Sequence, residues 1–158
     1  MAASGIHLTL KFLGEISPEV AASVHSVLDD VAHGAVAFPV RVRGIGSFPS
    51  SRQPRVLWVG LEDSRGMLQP LQRAVEEGCT RVQLPAEDRP FSPHLTLGRV
   101  RREAGEGASA FVRSVLEREQ SLDLGEMPVD AIHLFRSELR PSGAVYSRLH
   151  SAALGGGT

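Results

Sequence analysis

Two copies of one tetrapeptide carry the reactive side chains of this chain, His7-Leu8-Thr9-Leu10 returning as His94-Leu95-Thr96-Leu97. Successive side chains of an extended strand point to opposite faces, so each copy sets an imidazole beside a hydroxyl on one face and two leucines on the other. The leucines would anchor each strand in a core while the polar pair lines a cavity. A lone His-x-Thr is common by chance, and a strand histidine is often no more than a hydrogen-bonded residue. Repetition argues for chemistry. Two facing imidazole–hydroxyl pairs bound a phosphate-sized space. There one ring can accept a proton and the other donate one, because imidazole titrates at about pH 6.5. The threonine hydroxyls would donate to an anion's oxygens and orient it between the rings.

The elements that must position these pairs can be read around them. Each motif heads an apolar run, Ile6 to Leu13 and His94 to Val100, and Pro93 biases its predecessor toward extended backbone, so both motifs are expected on strands. Ser17-Pro18-Glu19 reads as a helix start, with Val20, Val24, Val27, Leu28 and Val31 at helical spacing and Gly34 as the stop. Phe38, Val40 and Val42 alternate with polar residues as a strand, after which Gly44 and Gly46 release the chain into a loop over Ser47 to Pro54. Val56 to Leu61 is the next strand, antiparallel to the last. Met67, Leu68, Leu71, Val75 and Cys79 suit a helix capped by Asp63 or Ser64.

Beyond that helix, Arg81 to Pro93 reads as a weak strand and connecting loop, and Arg101 to Gly107 as a flexible surface loop. Phe111, Val112, Val115 and Leu116 fit a short amphipathic helix. Pro128 to Leu139 reads as a strand with Ile132, Leu134 and Arg136 on one face, and the turn Arg140-Pro141-Ser142-Gly143 returns Val145 to Leu149 beside it as a hairpin. Strands, helices and hairpins in this order favour α+β with antiparallel sheets. A doubly wound sheet would need a glycine-rich phosphate turn after a strand, which is absent.

The other histidines lack a hydroxyl partner in a repeated motif. His25 and His33 read as helix-surface or helix-end residues, His133 as structural, and His150 as part of a frayed surface terminus before Gly155-Gly156-Gly157. Phe48, on its loop, either stacks a base or packs in the core. Trp58 has the same two readings, core packing first.

At 158 residues, 42% hydrophobic and 22% charged, the chain has the length and composition of one globular domain spanning 1–158. A formal charge of −1 argues against a broad nucleic-acid-coating surface, although a small RNA end can still occupy a local basic cleft. Cys79 is the only cysteine, so an internal disulfide and a thiolate zinc site are excluded, and it reads as a small core residue. No stretch approaches the ~20 apolar residues of a membrane helix, Met1 to Gly5 is too short for a signal peptide, and a cytoplasmic, soluble protein without membrane partners is expected.

His7-Leu-Thr-Leu-Lys-Phe-Leu-Gly-Glu15, Gly46-Ser-Phe-Pro49, Arg55-Val-Leu-Trp-Val-Gly60, Arg89-Pro-Phe-Ser-Pro-His-Leu-Thr-Leu-Gly-Arg99 and Leu134-Phe-Arg-Ser-Glu-Leu-Arg-Pro-Ser-Gly143 follow in an order that resembles the RNA 2′,3′-cyclic phosphodiesterases of the 2H phosphoesterase superfamily. The likeness runs from about Ile6 to about Leu149. It implies a bilobal α+β fold, with two antiparallel sheets flanking a central cleft, helices outside, and one His-x-Thr motif in each of two pseudo-symmetric lobes. Members of that family begin with a further strand, a helix and a connecting segment, whereas six residues precede His7, so the resemblance implies that an amino-terminal strand and helix are missing and a sheet edge lies open.

The activity it implies is hydrolysis of an RNA-terminal or nucleoside 2′,3′-cyclic phosphate to a 2′-phosphomonoester, without a metal or other cofactor. The sequence does not order the two histidines. The resemblance assigns His7 as proton donor to the departing 3′ oxygen and His94 as base on water, with Thr9 and Thr96 on the phosphoryl oxygens and Arg99 neutralising the phosphate. Related alternatives are 2′-5′ RNA ligation and a catalytically impaired module that binds RNA ends. A His-ligated metallohydrolase lacks a third ligand at recognisable spacing.

Overall fold

The structure, a computed structural model, describes residues 5–141 and 143–155. Met1 to Ser4, the turn residue Ser142 and the tail from Gly156 lie outside the described residues, and with them the signal-peptide reading and parts of the turn and tail readings.

Helix α1 (Pro18–His33) starts as its sequence requires, the Ser17 hydroxyl accepting the Val20 N–H at 3.3 Å with proline in the first turn. Val24, Val27, Leu28 and Ala32 form its buried stripe. Strands β1 (Phe38–Phe48) and β2 (Val56–Glu62) pair antiparallel. Helix α2 (Leu68–Arg81) begins where the Asp63 carboxylate accepts the Leu68 N–H at 2.6 Å, so Asp63 caps it as expected. Strand β3 (His94–Arg99), a 3₁₀ turn (Arg102–Ala104), α3 (Gly105–Arg118), β4 (Asp123–Val129), β5 (Ala131–Arg140) and β6 (Gly143–Ala153) complete the chain. The sheets have the strand orders β3-β2-β1-β4 and β5-β6. The α+β class with antiparallel pairing is as expected.

Two compact, discontinuous units result, and both His-x-Thr motifs belong to the first, which comprises residues 1–9, 40–62 and 93–127. Its sheet buries Val40, Val42, Val59, Leu61 and Leu95. Fully burying one such aliphatic side chain stabilises by about 1.5–3 kcal/mol before chain entropy is counted.

The second unit holds α1, α2 and the β5-β6 hairpin. Here α1 contacts α2, β5 and β6, and Ile132 and Leu134 are buried. A Cβ on Gly78 of α2 would fall 2.4 Å from Val27 Cγ1, so the helices approach closely because that position lacks a side chain. Lys11 Nζ, its side chain 4% exposed, is held by Glu76 at 2.7 Å and by the Pro85 carbonyl at 2.8 Å.

Several local expectations are corrected. The first motif is not on a strand: only Leu8 bridges to the sheet, and from Leu10 the chain groups with the second unit, where the Leu10 carbonyl accepts from Gln72. Residues 44–48 are strand rather than loop, because Gly44, at φ +75°, absorbs a bulge and the pairing resumes from Ile45. The segment 101–107 is the 3₁₀ turn and the start of α3, which begins six residues before Phe111, the first of the apolar positions. No strand forms over 82–93. Strand β4, rich in Gly, Pro and acid, escaped expectation and is secured in part by the Arg41–Asp123 ion pair at 2.7 Å.

Two histidines are also placed differently. His25 is half-buried and stacks on His150 with ring centroids 4.5 Å apart, and His150, in β6 rather than a frayed end, contacts Asp29 at 2.7 Å.

Candidate active site

Leu8 and Leu95 form an antiparallel bridge, and this one contact sets the geometry of both motifs. Extending its register by one residue each way puts His7 opposite Thr96 and Thr9 opposite His94. Opposite Cβ atoms in a ladder of that register are about 5 Å apart and diagonal ones about 7–8 Å, a spacing at which each imidazole would face the other motif's hydroxyl. Leu95, 8% exposed, points to the reverse face with its β2 partner Val59, 1% exposed. The buried leucine is thus what presents the histidine.

His7 Nδ1 lies 2.9 Å from the Gly5 carbonyl. A carbonyl only accepts, so Nδ1 donates this hydrogen bond and Nε2 is the ring's other nitrogen.

On β2, Gly60 pairs with His94 and Trp58 with Thr96, so Trp58 shares the motif face. Its indole lies flat along the sheet because Gly46, paired with it across β1, has no side chain; a Cβ there would fall 2.2 Å from the ring. Phe48 stands two residues along on the same face of β1. Its ring centroid is 5.1 Å from that of His94, edge-on, and 5.3 Å from that of Trp58, and Trp58 is 6.2 Å from His94. Phe48 and Trp58 therefore form an aromatic wall against the His94 ring rather than core. The indole Nε1 is buried without a hydrogen-bond partner.

Simple alternation would turn Arg99 away from His94 and Thr96. Instead the register shifts between Leu57–Gly98 and Trp58–Thr96, leaving Leu97 as an extra residue, and Arg99 pairs with Val56 on the Trp58 face. The bulge brings the exposed guanidinium to the side of the sheet that carries the imidazoles. Of the six residues singled out in the sequence, His94, Thr96, Arg99 and Phe48 accordingly share one sheet face in the first unit, and His7 and Thr9 flank the Leu8 bridge to the strand that carries His94. Gly46 was missed as the seat for Trp58, and Gly60 as a close approach to the Arg43 carbonyl, although a glycine inside a strand pattern is itself a mark of close approach.

Cys79 is buried, and desolvation holds its thiol above the usual range, as fits a packing residue. Among the described residues no group of three or more His, Cys, Asp or Glu is placed to hold a metal ion, and no helix is long and apolar enough to cross a membrane.

With this arrangement in view, comparison with known proteins is direct. The family model described as the 2′-5′ RNA ligase superfamily matches residues 2–141. The chain belongs to that superfamily. Among its relatives, a Thermus thermophilus protein named RNA 2′,3′-cyclic phosphodiesterase is 36% identical over 157 residues, covering 96% of this chain and 73% of the relative. A Methanothermobacter thermautotrophicus protein of the same name is 32% identical over 142 residues, covering 90% and 74%. Of solved structures, Escherichia coli LigT complexed with 3′-AMP superposes with a TM-score of 0.73 at 25% identity, covering 98% of this chain and 79% of that one.

Proposed function

We propose that this 2′-5′ RNA ligase superfamily member hydrolyses RNA-terminal or nucleoside 2′,3′-cyclic phosphates to 2′-phosphomonoesters by acid–base chemistry of its two motif histidines, with no metal or other cofactor. The observation that carries the reading is the Leu8–Leu95 bridge, which makes one patch of the two motifs. The names of the relatives and the 3′-nucleotide held by LigT support the substrate class.

In the proposed reaction, His94 takes a proton from water as its oxygen attacks phosphorus. The bond from phosphorus to the 3′ oxygen breaks, and that oxygen receives the Nε2 proton of cationic His7, whose Nδ1–H stays on the Gly5 carbonyl. Thr9 and Thr96 donate to the non-bridging oxygens, Arg99 offsets their charge, and Phe48 offers its ring to the base. Each positioned acid or base contributes about 10²–10⁴-fold. With a 5′-hydroxyl in place of water, the same groups would join the cyclic end through a 2′-5′ phosphodiester as the bond to the 3′ oxygen breaks, the ligation that the family description names.

Adenosine 2′,3′-cyclic monophosphate incubated with the protein and EDTA should give the 2′-phosphate, identified by ³¹P NMR. His7→Ala and His94→Ala should each lower kcat by about 10²–10⁴-fold. Undiminished turnover by either variant refutes that residue's role, and loss of turnover on chelation refutes the cofactor-free mechanism.

A further inference from the structure

We propose that an arginine-lined groove in the first unit binds the phosphate backbone of the RNA 5′ of its cyclic end, an inference that rests on the cyclic phosphodiesterase reading. A cavity of about 510 Å³ is lined by Arg52, Arg55, Arg101, Arg113, Glu106 and Ser109, with Gln53 and Gly105 completing it. Four arginines against one glutamate is a local excess that the chain as a whole, at net charge −1, does not share. Among the described residues none of these four guanidiniums is in an ion pair, whereas Arg41, Arg89, Arg118, Arg136 and Arg140 all are. Arg113 Nη1 donates to the Arg52 carbonyl at 3.1 Å, which ties α3 to the loop before β2 and holds two of the four together.

The backbone that carries Arg55 is tied to the ends of β1 and β3. The Arg55 N–H donates to the Phe48 carbonyl and the Arg55 carbonyl accepts from Val100, each at 2.8 Å, so the groove begins at the strand ends where Phe48 and Arg99 stand. From Val56, beside Arg55, to Gly60, opposite His94, β2 takes four steps, about 13 Å at 3.3 Å each. A stacked strand rising about 3.4 Å per nucleotide covers that in about four nucleotides. A 2′,3′-cyclic phosphate caps the 3′ end, so every other phosphate of the strand lies 5′ of the reaction centre. Guanidinium forks pair bidentately with phosphate oxygens, and such contacts carry position rather than sequence. The groove therefore reads length and charge, not bases.

The test compares adenosine 2′,3′-cyclic monophosphate with a hexanucleotide bearing the same end, and measures binding of a 3′-phosphorylated hexanucleotide by fluorescence anisotropy. Wild-type protein should have a lower KM for the hexanucleotide, with log KM rising steeply with log salt. Arg55→Gln and Arg101→Gln should each raise the hexanucleotide KM and Kd several-fold and reduce the salt slope by about 0.7. The mononucleotide kcat/KM then reports that fold and chemistry survive. Equal KM and equal salt dependence for the two substrates, or equal displacement of the hexanucleotide by polyglutamate, overturns the groove while leaving the phosphodiesterase reading intact. Failure of mononucleotide turnover strikes that reading instead, and the anisotropy measurement still decides the groove.

Discussion

Gly46 gives the sharpest test of how the sheet shapes the active face. A Cβ at that position would lie 2.2 Å from Cζ2 and 2.4 Å from Cη2 of Trp58, well inside contact distance, and its backbone has no positive φ to forbid a side chain. Gly46→Ala thus acts through the indole alone. Overpacking of this kind costs about 1–3 kcal/mol. With the indole gone, the same change should stabilise by about 0.4–1 kcal/mol, because alanine restricts the unfolded chain more than glycine does. In a double-mutant cycle with Trp58→Leu, the coupling energy should accordingly be about 1.5–4 kcal/mol. Urea denaturation measures it, and Trp58, the only tryptophan, reports its own displacement by fluorescence.

The indole is 5.3 Å from Phe48 and 6.2 Å from His94, so shifting it should also lower kcat/KM on a cyclic mononucleotide, by about 10–100-fold for a displacement near 1 Å. Wild-type stability and unchanged fluorescence in Gly46→Ala, or additive energies in the cycle, would refute the reasoning.

In the second unit, Lys11→Met should destabilise by about 3–5 kcal/mol, since it strands the carboxylate of Glu76, whose Oε2 is already buried without a partner. Adding Glu76→Leu should recover much of that loss, as read from urea midpoints. Burial, and secondarily Arg148, lowers the pKa of His133 from its ordinary 6.5. A depressed value in the fold means stability present above pH 6.5 and lost as pH falls through the folded value, so the wild-type urea midpoint should drop between pH 7 and 5 while that of His133→Leu falls less.

The face of the second motif was legible because its period is local: alternation in His94-Leu95-Thr96 assigns sides without knowledge of any partner. Ser17-Pro18 and Asp63 were legible for the same reason, since a cap is settled within a few residues. What escaped depended on distant atoms. Gly44 and Gly46 carry the composition of a loop, and what makes a strand of them is distant: the Leu122 carbonyl accepts the Gly44 N–H, and the Trp58 indole lies against Gly46. His150 looked like a loose end because Asp29 and His25, far away in sequence, hold it. Strand β4 has weak intrinsic preference and owes its place in part to Arg41. The start of α3 was missed because Gly105-Glu106-Gly107 has the composition of a loop.

The spare residue at Leu97 fixes a spacing rule for the second motif. Arg99 and His94 share a side only because an odd number of residues is absorbed between them, so shortening or lengthening that span by a single amino acid would exchange the guanidinium for a neighbour meant for the interior. Natural variation at this point should therefore come in even steps or be matched by a change in β2, whereas the segment beyond Val100, outside the sheet, is free of any such parity.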